Sequence, residues 1–202
     1  MRFVPLAAAL AVLAAATLAA PSTAAAHDYE LNAATDRPSL VKQARFLTLV
    51  DRSGEHWGQR SVGRTGRRPG ARDGHNVVGF TTEVDSGIGG QTYCFDGVIH
   101  VHRGGRRHEH CAERDILINP RVLWEQGPRH PSSEEYDLET VLLHEFGHFS
   151  GNWPREGRRC TNSPMASPLY NGEWWRSRRD YRWIGCGSAR GSAFGSLTAI
   201  EL

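Results

Sequence analysis

The sequence predicts an α+β fold, with two helices, a small, mixed and twisted sheet, and an irregular C-terminal subdomain. Apolar residues recur at helical spacing within Ser39–Trp57 and again within Asp137–Phe149. Between these segments, from Asn76 to Asn119, short β-prone runs alternate with glycines. After Gly151 the chain carries glycine, proline and aromatic residues with little periodicity, apart from a short helical possibility at Trp174–Trp183. Together these features indicate an α+β domain.

The overall composition is that of a globular protein. The chain has 202 residues with a net charge of +2, 39% apolar residues and 23% charged residues. These values exclude a disordered tail, a collagen-like repeat and a coiled coil. The nearly neutral charge gives no reason to expect a nucleic-acid partner.

The N-terminal residues have the features of a secretory signal peptide. Arg2 precedes a short apolar run, Leu6–Ala20, and Ala24–Ala26 fits the small residues of a cleavage site. The run is too short and too weakly apolar for a stable membrane helix. We therefore expect residues 1–26 to be a signal peptide, residues 27–202 to form one secreted domain, and no stable membrane association.

The elements are expected in the following order. Tyr29–Asn32 is a weak strand candidate, and Ser39 is expected to cap the first helix. Gly63–Gly70, rich in glycine and arginine, is expected to be a solvated loop. Four strand candidates follow, namely Val77–Thr82, Gln91–Cys94, Val98–His102 and Asp115–Asn119.

A patch of four histidines lies among these strands, at His100, His102, His108 and His110. Imidazole is a common metal ligand, so a second, structural metal is one interpretation. The charge of Arg103, Arg106 and Arg107 opposes a cation, however, and favours a polar strand face.

The second helix has the strongest pattern in the chain. Either Ser132 or Asp137 can cap it, and acidic residues lie at the end where the helix dipole favours negative charge. Gly151 and Pro154 are expected to end it.

Four cysteines, Cys94, Cys111, Cys160 and Cys186, are consistent with export and show no Cys-x-x-Cys spacing. Three pairings are possible. We expect Cys94–Cys111 and Cys160–Cys186, because each of these bridges closes a local, turn-rich segment.

The second helix carries the sequence His144-Glu145-Phe146-Gly147-His148, a His-Glu-x-x-His motif. Residues i and i+4 of a helix lie on one face, so both imidazoles can bind one metal ion. Glu145 is then beside the open position of that metal and can act as a general base. A polar helix face with two incidental histidines is the alternative.

These residues resemble the metzincins, and most closely the matrixins and similar small secreted bacterial zinc endopeptidases. Gly151 stands where the family pattern His-Glu-x-x-His-x-x-Gly-x-x-His has its glycine, and Ser163–Met165 resembles the methionine turn of the family. Asp73–Phe80 and Ala112–Asn119 are similar to two family strand regions, the second being the substrate-facing edge strand. The resemblance implies a zincin domain whose active-site helix holds Zn²⁺ through His144 and His148, with Glu145 as catalytic base.

The third zinc ligand of the family would fall at Pro154, whose side chain cannot bind metal. Glu156 is the preferred substitute, since a longer local loop could bring its carboxylate to the metal. Cys160 and Glu173 are the other candidates for the third ligand. A site with only the two histidines, or with a ligand that the sequence does not identify, is also possible.

The resemblance further implies that Tyr170, Trp174 and Trp175 form a wall of the substrate pocket; alternatively they only cover the underside of the helix. We therefore expect a secreted, monomeric zinc endopeptidase acting on a protein or peptide substrate. The alternative is a secreted metzincin-like binding protein, catalytically impaired because it lacks the usual third zinc ligand.

Overall fold

The computed structural model describes residues 28–101, 107–151, 164–165 and 169–176. The signal peptide predicted at residues 1–26 lies outside the described residues, as do His102, Pro154, Glu156, Cys160 and Cys186. The described chain is a mixed α and β structure in which a five-stranded, mostly parallel sheet accompanies two helices.

Nine strands are present in the described residues. In chain order they are β1 (Asp28–Asn32), β2 (Arg60–Arg64), β3 (Val77–Phe80), β4 (Gly90–Phe95), β5 (Val98–Val101), β6 (Arg107–His110), β7 (Glu113–Ile118), β8 (Leu123–Glu125) and β9 (Glu135–Asp137). Each of the five predicted strands has a counterpart in this set. The first two residues of the predicted loop Gly63–Gly70 belong instead to the end of β2.

The main sheet has the strand order β2-β1-β3-β7-β4. Its first four strands are parallel, whereas β4 runs antiparallel to β7. The resemblance implied that Ala112–Asn119 contains the substrate-facing edge strand, and this expectation is wrong, because β7 lies between β3 and β4. Every residue of β7 is buried, and the edge on this side of the sheet is β4.

Two smaller sheets complete the fold of the described residues. Strands β8 and β9 pair in parallel, and β9 leads directly into the second helix. Strands β5 and β6 form an antiparallel ribbon in which His100 is opposite His108 and Val98 is opposite His110. Three of the four histidines of the predicted patch thus belong to one ribbon.

The first helix, α1 (Gln43–His56), begins later than the sequence predicts. Ser39 does not cap it, because the Val41 N–H donates to the Pro38 carbonyl and closes a turn before the helix. The N-cap residue is Lys42, which makes no side-chain capping bond. The Lys42 N–H instead donates to the side chain of Gln126, a partner that local pattern could not reveal.

The second helix, α2 (Leu138–Phe149), begins at the second of its two predicted caps. The Asp137 carboxylate accepts the Thr140 N–H at 2.8 Å, which satisfies one of the free N–H groups of the first turn. Ser132 cannot serve, because the chain between it and the helix is extended as β9. At the other end Gly151, with φ of 79°, donates its N–H to the His148 carbonyl at 2.7 Å.

Both helices contribute to one hydrophobic core with the main sheet. The largest fully buried side chains come from both helices and from the main sheet and include Tyr29, Phe46, Phe80, Phe146, Phe149, Ile116 and Leu142. All twelve residues of α2 are buried, including its two histidines and two glutamates. A helix that is buried all round is held by its surroundings, so its polar side chains require specific partners.

Cys94 and Cys111 are joined in a disulfide, the first of the two expected bridges. The bond encloses the β5–β6 ribbon and links the end of β4 to the residues before β7. Close to it, the Ala112 N–H donates to the Phe95 carbonyl. Within the described residues no helix has both the length and the apolar character that a membrane span requires.

Candidate metal centre

His144 and His148 come together on one face of α2, as their four-residue spacing predicts. Their Nε2 atoms lie 2.8 Å apart, and their ring planes are inclined at 81°. Both side chains are buried, His144 completely. The spacing therefore produces two imidazole nitrogens that converge on one point inside the protein.

A loop residue fixes the tautomer of His144. Its Nδ1 lies 2.6 Å from the carbonyl oxygen of Pro164. A carbonyl can only accept, so Nδ1 carries the hydrogen and Nε2 keeps its lone pair free for a metal. Burial lowers the pKa of His144 to about 4, against the opposing effect of the Pro164 hydrogen bond, so the ring is neutral at pH 7.

Met165, the residue predicted for the methionine turn, packs beneath α2 and is 3% exposed. Its thioether lies directly against Gly147, between Glu145 and His148 in the chain. A Cβ at Gly147 would overlap with Met165 Sδ and would also come within 3.2 Å of Trp57. Gly147 thus permits Met165 to approach the helix backbone in the middle of the motif.

Glu145 is buried beside the histidines, with 1% of its surface exposed. Burial raises the pKa of Glu145 to about 8, and a hydrogen bond from Thr92 opposes this increase. The two carboxyl oxygens are not equivalent. Thr92 Oγ1 lies 2.6 Å from Oε2, whereas the buried Oε1 has no hydrogen-bond partner.

The edge strand β4 reaches Glu145 because Gly90 allows a close approach to α2. A Cβ on Gly90 would lie 2.8 Å from Val141 Cγ1 and 3.2 Å from Glu145 Cγ. Any side chain there would force strand and helix apart. This glycine therefore sets the distance across which Thr92 meets the carboxyl group.

The third metal ligand is not found in the part of the chain that the structure describes. There, no three His, Cys, Asp or Glu residues form a group that could hold a metal. Glu173 is described but does not complete such a group with the two histidines; its carboxylate accepts the Tyr170 N–H at 2.9 Å. Glu156 and Cys160 lie outside the described residues.

The aromatic residues after Met165 have different surroundings. The Trp175 side chain packs against the core, and the Trp175 main-chain N–H donates to Thr140 Oγ1 in the first turn of α2. Trp174 contacts His130 and Arg176, while Tyr170 is 62% exposed. Trp174–Arg176 are not helical, and the rest of the possible helix at Trp174–Trp183 lies outside the described residues.

Sequence reasoning missed several residues of this centre. Thr92 and Gly90 lie in a predicted strand or beside it, but nothing local indicates that the strand borders α2. Arg114 of β7, 6% exposed, donates to the Phe149 carbonyl and so satisfies a free carbonyl at the end of α2. Only the pairing of distant strands brings these groups to the motif.

The donor chemistry suits a transition metal such as Zn²⁺. Two imidazole nitrogens converge, one of them with its tautomer fixed, and a buried carboxyl oxygen without a partner lies on the next residue. No protein-family model matches the chain, and no curated protein matches it in sequence. The resemblance to metzincins therefore rests on the motif residues.

Proposed function

We propose that this protein is a secreted zinc-dependent endopeptidase with a metzincin-like zincin domain. The observation that carries the proposal is the convergence of the His144 and His148 Nε2 atoms, with the His144 tautomer fixed by Pro164. A buried pair of imidazoles with this arrangement, one of them held in the tautomer that leaves Nε2 as the ligating atom, is suited to metal binding. The packing of Met165 beneath the same turn supports the resemblance to the methionine turn.

His144 and His148 would hold the zinc, and we propose Glu156 as the third ligand in place of the family histidine at Pro154. A site with two histidines and one glutamate is an established catalytic donor set for zinc. When bound, zinc supplies Lewis-acid chemistry: it polarises the peptide carbonyl and lowers the pKa of water towards neutrality.

Glu145 would act as the general base through its Oε1 atom. This oxygen takes the proton of the attacking water and then delivers it to the amine that leaves when the peptide C–N bond breaks. The burial that raises the pKa of this carboxyl also makes it a stronger base than an exposed glutamate. A cation at the histidines would favour its ionised form.

The substrate would be an extended protein or peptide chain. The edge strand next to α2 is β4, which pairs with β7 on one side, so its other side is where an added strand would form main-chain hydrogen bonds. The apolar N-terminal run and the Ala24–Ala26 site support secretion, and the nearly neutral charge gives no reason to propose a nucleic-acid partner.

A second candidate is a secreted metzincin-like binding protein without catalytic activity. Pro154 favours it, because the position of the third family ligand is lost. The retained Glu145 opposes it, since a binding protein has no need for a buried carboxyl next to the metal.

The test is zinc content together with hydrolysis of a heat-denatured protein by wild type and by Glu145→Gln. Glutamine keeps the shape and can still accept the Thr92 hydrogen bond, but it cannot take a proton. We expect activity to fall by about 10²–10⁴-fold, with zinc content and the urea midpoint unchanged.

Glu134→Gln, which changes an exposed glutamate, is the matched control and should match wild type. If the Glu145 variant retains full turnover, Glu145 is not the base. If wild type binds zinc but cleaves nothing, the second candidate function, a binding protein without catalytic activity, is the correct one.

A further inference from the structure

Thr92 contacts the proposed base directly, and the proposed function has so far given it no role. Its Oγ1 lies 2.6 Å from Glu145 Oε2 and 3.0 Å from the Glu145 main-chain oxygen. A hydroxyl has one hydrogen to donate. The shorter bond to the carboxyl oxygen is the stronger when that group is ionised, so the hydrogen is directed to Oε2.

This bond distinguishes the two oxygens of the carboxyl group. Oε2 is occupied by the Thr92 donor, and Oε1 is buried without a partner. A glutamate side chain has several rotatable bonds, and an apolar surrounding does not by itself select one orientation. A fixed donor on Oε2 therefore determines which oxygen faces the reacting water.

The strand that carries Thr92 is held on several sides. Thr92 pairs with Ile116 of β7, and the Cys94–Cys111 disulfide lies two residues further along. The close contact at Gly90 fixes the distance between β4 and α2. Because the strand is fixed by these contacts, the Thr92 hydroxyl is held in place and can orient the Glu145 carboxyl group.

We propose that Thr92 is the positioning residue for Glu145: its hydroxyl holds Oε2 so that Oε1 is aimed at the substrate water. This inference rests on the proposed endopeptidase function. It assigns a role in orientation to a side chain of the edge strand, 53 positions from its partner in the chain. Misplacement of a catalytic group by about 1 Å can cost about 10²-fold in rate.

The test compares Thr92→Val, Thr92→Ser and Thr92→Ala in the zinc-loaded protein. The substrate is a quenched fluorescent peptide copied from a cleavage site mapped in a denatured protein. Valine keeps the shape and removes the donor, whereas serine keeps the donor. We expect the valine and alanine variants to lose about 10- to 100-fold in kcat with KM and zinc content unchanged, and the serine variant to stay within about threefold of wild type.

Thr81→Val is the matched control, because Thr81 is a buried threonine whose hydroxyl accepts the Glu83 N–H rather than contacting Glu145. It should keep the wild-type kcat. The inference is overturned if Thr92→Val keeps wild-type kcat, if serine fails to restore the rate, or if Thr81→Val loses as much. The two failures are distinguishable. If wild type itself cleaves nothing, the proposed function is wrong, whereas an active wild type with unaffected Thr92 variants contradicts only the role of Thr92.

Discussion

Gly147 lies in the middle of α2, where a methyl group would collide with Met165. A Cβ built there overlaps with Met165 Sδ and lies 2.8 Å from its Cε and 3.2 Å from Trp57 Cζ2. The perturbation is Gly147→Ala, introduced into wild type and into Met165→Ala. It tests whether Met165 packs beneath the His144–His148 segment of α2.

Two opposing effects set the magnitude. Alanine is favoured over glycine in a helix interior by about 1 kcal/mol. Overpacking a tight core costs about 1–3 kcal/mol, and the flexible end of methionine keeps the cost within that range. In wild type we therefore expect Gly147→Ala to lower the free energy of unfolding by about 0–2 kcal/mol.

In Met165→Ala the collision with Met165 is absent, and only the 3.2 Å approach to Trp57 opposes the helix preference. There Gly147→Ala should raise the free energy of unfolding by up to about 1 kcal/mol. The coupling between the two positions is then about 1–3 kcal/mol, within the usual range for residues in contact. Met165→Ala alone should cost about 2–5 kcal/mol, because the side chain is buried.

The assay is urea unfolding followed by circular dichroism, in excess chelator so that metal binding does not shift the equilibrium. Gly66→Ala is the control: a Cβ there meets nothing within 4 Å, so it should show no coupling to Met165. Additive effects of Gly147→Ala and Met165→Ala within about 0.5 kcal/mol would refute the packing described for the motif.

Two further predictions concern Asp115 and Glu156. Burial raises the pKa of Asp115 to about 7, although the Val77 and Gly70 N–H groups donate to it. A raised carboxyl pKa stabilises the fold below about pH 4, and that contribution is lost as the pH rises through 7. The free energy of unfolding should thus fall over this range by up to about 4 kcal/mol, and Asp115→Asn should flatten the decline; an unchanged slope would contradict it. Glu156→Ala should lose zinc in dialysis against a mild chelator, as His148→Ala does, while Glu173→Ala keeps it; zinc retention by the Glu156 variant would exclude Glu156 as a ligand.

Local sequence is sufficient to predict the features that depend on neighbours within one or two turns of helix. The four-residue spacing of His144 and His148 is sufficient to bring both rings to one face, because the helix repeat is 3.6 residues. The Gly151 ending likewise depends on a hydrogen bond to a residue three positions earlier. The sequence left Ser132 and Asp137 as possible caps, and the extended strand β9 decides for Asp137. The five predicted strands begin and end within about two residues of β1, β3, β4, β5 and β7, since alternation and flanking glycines are local signals, whereas β2, β6, β8 and β9 were not predicted.

Tertiary structure alone decided which strands are neighbours and which groups meet the motif. Strand order is set by pairing across long stretches of chain, so the local pattern of Ala112–Asn119 does not show that β4, and not β7, forms the edge of the sheet. Thr92 reaches Glu145, Pro164 reaches His144, and Gln126 takes the place of Ser39 at the start of α1 only when distant segments pack together. The local sequence pattern shows whether a segment is a helix or a strand. It does not show which other segments pack against the buried face of that helix or strand, and these contacts depend on that packing.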